Sequence, residues 1–302
     1  MNRRHFLAQA SLATLASCTT LDRRSGSFID AHVHVWTPNT KAYPLAAGFL
    51  KADMQPASFT PRQLFAHCKP ESVSRVVLIQ MSYYGTDNSY MLDMIDHHPG
   101  TFSGVAIVDE SLPDVAVTMR TLAEQGVRGF RITPGKRDLA EWLGSPGMAT
   151  MWKTAAAEGL AVCPLINPEA LPLIDKMCQR YPDTTVVIDH FARVGMAGPV
   201  KERQLHDLCR LARHHHTFVK TSAFYALGEK KAPYLDLAPL IRRVRDAFGA
   251  SRLMWASDCP FQVDPGHNYH DSIALIRDRL DFLTADEKTC ILGTTAEQVF
   301  FA

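Results

Sequence analysis

Neither charge dominates this sequence. Its 302 residues carry 32 lysines and arginines against 31 aspartates and glutamates, a formal net charge of +1. A nucleic-acid surface needs a basic stripe or a strong positive balance, so that class of partner is excluded. No tight Cys-x-x-Cys pair occurs, and the spacing of the cysteines excludes a zinc ribbon. Cys163 falls in an apolar strand and Cys178 and Cys209 in amphipathic helices, where they read as small buried hydrophobes; the sequence assigns no disulfide. Past the N-terminus no run approaches the roughly 18 apolar residues of a spanning helix. No glycine-rich phosphate loop follows the first strand, which disfavours a doubly wound nucleotide-binding sheet.

What is present begins with an export signal. Asn2-Arg3-Arg4-His5-Phe6-Leu7 leads into a modestly apolar run through Leu15, with no acidic residue before Asp22. Paired arginines before Phe-Leu resemble the twin-arginine type of signal. Leu15-Ala16-Ser17-Cys18 then reads as a lipobox, with cleavage before Cys18 and lipidation of its thiol. The expected division is a lipoprotein signal over 1–18, a polar tether over 19–27 and one domain over 28–302. The expected location is the bacterial periplasm, with membrane contact only through the anchor at Cys18.

Within the domain, strands and helices alternate. Strand-like apolar runs begin near Phe28, Ser74, Phe102, Val127, Leu160, Thr184, Thr217 and Arg252, and a helical stretch follows each. Continuous runs such as VSRVVLIQM (73–81) mark strands buried on both faces. Thr60-Pro61 and the glycines at 126, 159 and 249 mark helix boundaries. Eight such units predict a closed (β/α)8 TIM barrel as a single domain.

In a barrel of this kind the chemistry lies at the C-terminal ends of the strands. Strand one carries His32 and His34, two residues apart and therefore on one face. The loop after strand two carries Tyr83, Tyr84, Asp87 and Asn88; strand four ends with Arg131, followed by Lys136 and Arg137. Strand five leads to Asn167, strand six to Asp189-His190 and Arg193, strand seven to Lys220, Ser222 and Tyr225, and strand eight to Ser257-Asp258. Three imidazoles and a carboxylate facing one cavity can hold a single divalent metal with water on its open position. They can equally polarise a carbonyl directly while Asp258 acts as general base on water. Both schemes end in hydrolysis.

Six segments in order, IDAHVHVW (29–36), RVVLIQMSYYGTDNSYMLDMI (75–95), GVRGFRI (126–132), VVIDHFARVG (186–195), LMWASDCPF (253–261) and TTAEQVFF (294–301), resemble the amidohydrolase-related branch of the amidohydrolase superfamily. That branch holds sugar lactonases and 2-pyrone-4,6-dicarboxylate hydrolase. The resemblance implies that His32, His34 and His190 meet the substrate carbonyl or a metal, and that Asp258 deprotonates the attacking water. Arg131 and Arg137 match a pair that binds substrate carboxylate, a role suited to guanidinium forks; Tyr83 and Tyr225 are further candidate substrate contacts. Arg128, three residues from Arg131 and so on the opposite strand face, reads as one half of a structural ion pair. Thr133 and Asn167 stand where metal-rich members carry ligands, so one zinc-type ion or none is expected. Ala226 stands where the family's KLSGxYR segment often carries an arginine, which makes a monocarboxylate or sugar lactone as eligible as a dicarboxylate. The expected function is hydrolysis of a small carboxylate-bearing lactone. The alternatives are a zinc-dependent decarboxylase of the same family and a non-catalytic carboxylate-binding barrel.

Overall fold

A computed structural model describes residues 27–302; the export signal, Cys18 and the tether up to Gly26 lie outside the described residues. Eight strands form the centre: β1 (Phe28–Val33), β2 (Val73–Ile79), β3 (Phe102–Ala106), β4 (Val127–Ile132), β5 (Ala161–Pro164), β6 (Thr185–Ile188), β7 (Thr217–Ser222) and β8 (Leu253–Ala256). Each pairs in parallel with the next in chain order. Just beyond β8 the chain returns to β1: the Asp258 amide donates to the His32 carbonyl at 2.9 Å and the His34 amide to the Cys259 carbonyl at 2.8 Å. These bonds bring the sheet round into a single-domain (β/α)8 barrel.

Local chemistry sets the helices around it. Thr60 and Gln63 form a capping box ahead of α1 (Pro61–Cys68), with Pro61 at its first position. The helices α2 (Ser89–His97) and α3 (Val115–Glu124) follow as their periodicity predicts. A short α4 (Leu139–Gly144) is not foreseen by the pattern; the Asp138 side chain caps it by accepting from the Glu141 amide at 2.8 Å. Ser145 then caps α5 (Pro146–Ala157), accepting from the Met148 amide at 3.2 Å. The ring is completed by α6 (Leu171–Arg180), α7 (Glu202–Arg210) and α8 (Ala238–Phe248), with α9 (Tyr269–Ala274), α10 (Ala285–Thr289) and α11 (Thr295–Phe300) at the end of the chain. The six cysteines of the described region are free thiols, four of them buried. Arg128 forms no ion pair among the described residues; its guanidinium donates to the carbonyls of Ala123 at 2.8 Å and Val127 at 3.0 Å.

Two apolar layers result. Ile29, Ala31, Val77, Val105, Cys163 and Val187 fill the barrel interior, closed below by Ala296 and Phe300 of α11. Val33, Val76, Leu78, Phe130 and Trp255 pack outward against the helices. In β1 the inward set is Ile29 and Ala31, whereas Val33 and Val35 belong to the outer layer. The pairing register with β2 shifts between Asp30 and Val33. This bulge exchanges the two faces of the strand. Strict alternation would put His32 and His34 on the outward side with Asp30; the bulge delivers them to the interior.

Asp30, left facing outward and fully buried, ties the seam of the barrel. Its carboxylate accepts from the Ser257 amide at 2.8 Å, the His32 amide at 3.2 Å and the Tyr269 hydroxyl at 2.8 Å. Replacing Asp30 by Ala leaves these donors without acceptors in a dry interior and should cost about 3 kcal/mol. Tyr269→Phe removes one of the bonds and should cost about 1 kcal/mol. Denaturant unfolding of both variants measures the difference; equal stability would contradict the role given to the carboxylate.

Candidate active site

Three strand ends reach the centre through backbone that L-residues seldom adopt. After β6, His190, Phe191, Ala192 and Arg193 have φ values of 51°, 52°, 52° and 59°. Ala223 after β7 has φ 56°, and Asp258 after β8 has φ 64°. Each left-handed non-glycine residue costs on the order of 1–2 kcal/mol. The turns convert strand ends, whose side chains alternate, into points where consecutive residues face the same cavity. Asp189 and His190 thereby both point inward.

The cavity has a volume of about 250 Å³ and opens at the C-terminal ends of the strands. Its polar lining is His34, Ser82, Arg131, His190, Arg193, Tyr225 and Asp258, and its apolar lining includes Met81, Leu165, Leu227 and Phe261. His32 lies beneath, with no exposed surface. Asp258 is the hub. Its Oδ1 is 3.5 Å from His32 Nε2 and 3.6 Å from His34 Nε2, and its Oδ2 is 3.7 Å from His190 Nε2. The Tyr225 hydroxyl donates to the same Oδ2 at 2.7 Å. One nitrogen each of His32 and His190 and one oxygen of Asp258 lie within 4.8 Å of one another, a grouping of metal-ligand type. His34 stands beside that set, its Nε2 3.2 Å from His32 Nε2.

A second carboxylate lies deeper. Asp189, also without exposed surface, meets the Lys220 ammonium at 3.0 Å, His32 Nδ1 at 3.4 Å and Arg131 Nε at 3.7 Å. Burial alone would raise its pKa, but Lys220, His32 and Arg131 outweigh it and hold the group well below the usual carboxylate range. Asp258 goes the other way. Burial pushes it up to about 7, opposed by the Tyr225 bond and by Arg131. Burial also lowers the three imidazoles: His190 to about 3, and His32 and His34 well below the ordinary histidine range, with Lys220 adding to the effect at His32 and Arg131 at His34. All three are neutral at pH 7.

Of the residues singled out from the sequence, the fold brings together His32, His34, Arg131, His190, Tyr225 and Asp258. It does not bring Arg137 or Tyr83 to the cavity. The Arg137 guanidinium pairs with Glu110, donates to the Thr133 carbonyl at 2.7 Å and lies 4.3 Å above the Trp142 ring. Glu110 at the end of the β3 loop claims it, and the loop 133–138 carries it outward. Tyr83 is buried against Trp36, at 5.3 Å between rings, and its hydroxyl accepts from the Gln55 amide at 3.3 Å. Residues not assigned a role from the sequence are Asp189, Lys220 and Arg193. A lysine within a short strand and an aspartate closing the apolar run of strand six are the signals that pointed to the buried ion pair.

The structure is a parallel (β/α)8 barrel with imidazoles and a carboxylate converging at its strand ends. The family model described as Amidohydrolase matches residues 29–302, and the chain belongs to that family. It is 30% identical over 274 residues to L-fucono-1,5-lactonase of Burkholderia ambifaria, covering 89% of this chain and 93% of that protein. With 2-pyrone-4,6-dicarboxylate hydrolase of Comamonas testosteroni it shares 27% identity over 241 residues, covering 77% and 76%. Among solved structures, an amidohydrolase from Burkholderia multivorans with bound zinc superposes with a TM-score of 0.77 at 22% identity, covering 91% of this chain and 99% of that one. This last likeness carries the fold. The chain is therefore an amidohydrolase-family hydrolase with lactonase relatives.

Tyr225 donates to the charged form of Asp258, so its removal destabilises the carboxylate. Tyr225→Phe should raise the Asp258 pKa above about 7. Carboxyl carbon NMR titration, assigned against Asp258→Asn, reads the shift; an unchanged or lowered value would show that the bond does not act on the ionised group.

Proposed function

We propose that this protein opens a small lactone bearing a carboxylate, with Asp258 as general base. The observation that supports this reading best is Asp258 itself, a carboxylate raised to about 7 and ringed by three neutral imidazoles within 3.7 Å. A base is most effective when its pKa lies near the working pH. Lactone hydrolases among the relatives supply the substrate class.

In this scheme the substrate carboxylate meets Arg131 and Arg193, which line the same cavity. Guanidinium forks match carboxylates in geometry as well as charge. The apolar wall of Met81, Leu165, Leu227 and Phe261 covers the ring and excludes water from its far side. Ionised Asp258 removes a proton from water, and the oxygen adds to the lactone carbonyl. His190, which lines the cavity, faces the charge that grows on the carbonyl oxygen. The ring carbon–oxygen bond then breaks, and the ring oxygen leaves as an alcohol with the proton that Asp258 took. His32, His190 and Asp258 are of the donor types zinc takes and would hold such an ion, which would supply Lewis-acid polarisation of the carbonyl.

Asp258→Asn should lower kcat by about 100-fold or more with the fold preserved. In the wild type, kcat/KM should fall about tenfold per unit as pH drops below about 7, because protonation removes the base. The groups acting on Asp258 are His32, His34, His190, Tyr225 and Arg131, with the Asp189 and Asp30 carboxylates raising its pKa further, and the imidazoles stay neutral through that range. Assay against a panel of carboxylated and sugar lactones tests the reading; an inert wild type, or an Asp258→Asn enzyme that keeps a tenth of its turnover, would sink it.

We place the activity outside the cytoplasm, on a membrane anchor, from Arg3-Arg4 and Cys18. Cys18→Ala should move the protein from the membrane to the soluble fraction; unchanged partition would refute anchoring.

A further inference from the structure

Lys220 is the one lysine with no exposed surface, and the hydrolytic scheme gives it no task. Its position acquires meaning from the hydrogen-bond logic around His32. The Ile79 carbonyl can only accept, so His34, 2.9 Å away through Nδ1, carries its proton there. His34 Nε2 is then a bare acceptor. It lies 3.2 Å from His32 Nε2, and a bond between the two requires the proton on His32. At the other side of the ring, the Lys220 ammonium can only donate, and it lies 3.2 Å from His32 Nδ1. Two neighbours on opposite edges of the ring thus demand one tautomer, with Nε2 protonated and Nδ1 accepting.

Asp189 offers the competing arrangement. It lies 3.4 Å from the same Nδ1, and neither of its oxygens has an aligned hydrogen bond. Were Nδ1 to carry the proton and donate to Asp189, Nε2 would be bare, the form in which an imidazole ligates a metal with a carboxylate behind it. Arg131 Nη2, 3.3 Å from Nε2, is served by that form and left without an acceptor in the other. In the Nε2-protonated form Nη2 is instead available to an anion in the cavity, which Arg131 lines.

We propose that Lys220 is a positioning residue that fixes His32 in the Nε2-protonated tautomer, making it a hydrogen-bond donor to His34 and weakening the site for divalent metal. His32, His190 and Asp258 then form a site of metal-ligand composition in which one ligand nitrogen is already occupied by its proton. Binding a metal requires the Lys220 bond to break and Asp189 to take over Nδ1. The inference concerns the state of the ring and holds whichever ester the enzyme opens.

Nitrogen NMR of histidine-labelled wild type, with His32 assigned by difference against His32→Asn, should show a protonated Nε2 and an unprotonated Nδ1. Zinc titration followed calorimetrically should give an affinity at least tenfold tighter for Lys220→Met than for wild type. Because Lys220→Met leaves the Asp189 charge buried alone, the doubly substituted Lys220→Met/Asp189→Asn is titrated beside it and should also bind zinc more tightly than wild type. A wild-type spectrum with the proton on Nδ1 overturns the proposal even if neither variant folds. So does zinc affinity that is unchanged or weaker in the folded variants.

Discussion

The ion pair between Asp189 and Lys220 is the interaction on which the centre of this barrel depends. Both side chains have no exposed surface, and they meet at 3.0 Å. Removing two charges from water costs several kcal/mol per ion, which mutual attraction repays only when the geometry is good and further partners are present. Those partners come from other strands: Arg131 on β4 approaches Asp189, and His32 on β1 touches both members of the pair. Four separate segments are therefore held in one relative placement by charge they cannot leave uncompensated. Truncating either partner leaves the other buried and alone, a far larger penalty than the net worth of the pair.

Delivery of these side chains to one point required departures from regular strand geometry. The bulge in β1 turns His32 and His34 inward, and left-handed residues after β6, β7 and β8 bring His190, the β7 turn and Asp258 to the same cavity. A regular strand presents every second residue to the interior, which suffices for packing and not for clustering consecutive polar groups. The strain sits where the site is and is held by the rigid barrel around it. Tyr225 shows the benefit: the turn begun at Ala223 sets its hydroxyl 2.7 Å from Asp258.

Much of this was legible in the sequence. Eight apolar runs alternating with helical stretches give the barrel directly, because strands buried on both faces must be apolar throughout. His32, His34, His190 and Asp258 were legible because polar residues at the ends of such runs are out of place unless used. The placement of Arg137 outside the cavity lining was not legible, since it depends on Glu110, 27 positions away in the chain, which no local pattern connects to it. The short α4 escaped notice because six residues carry little periodicity, and Asp138, its cap, reads equally as a loop residue. Lys220 was visible as a lysine within a strand, but its partner Asp189 and the ring between them belong to other segments.

Two buried aspartates a few ångströms from the same imidazole end with opposite properties, and their environments explain it. Asp189 has cations on two sides, Lys220 at 3.0 Å and Arg131 at 3.7 Å, so its charge is locked in and it cannot exchange a proton near neutral pH. Asp258 has a neutral hydroxyl and neutral imidazoles at hand, and the pull of Arg131 on it does not outweigh its burial. Burial therefore dominates there and lifts its pKa to about 7. Environments that drive two carboxylates apart in this way assign them different work. Asp189 is suited to hold charge and orient its neighbours; Asp258 is suited to take a proton and return it.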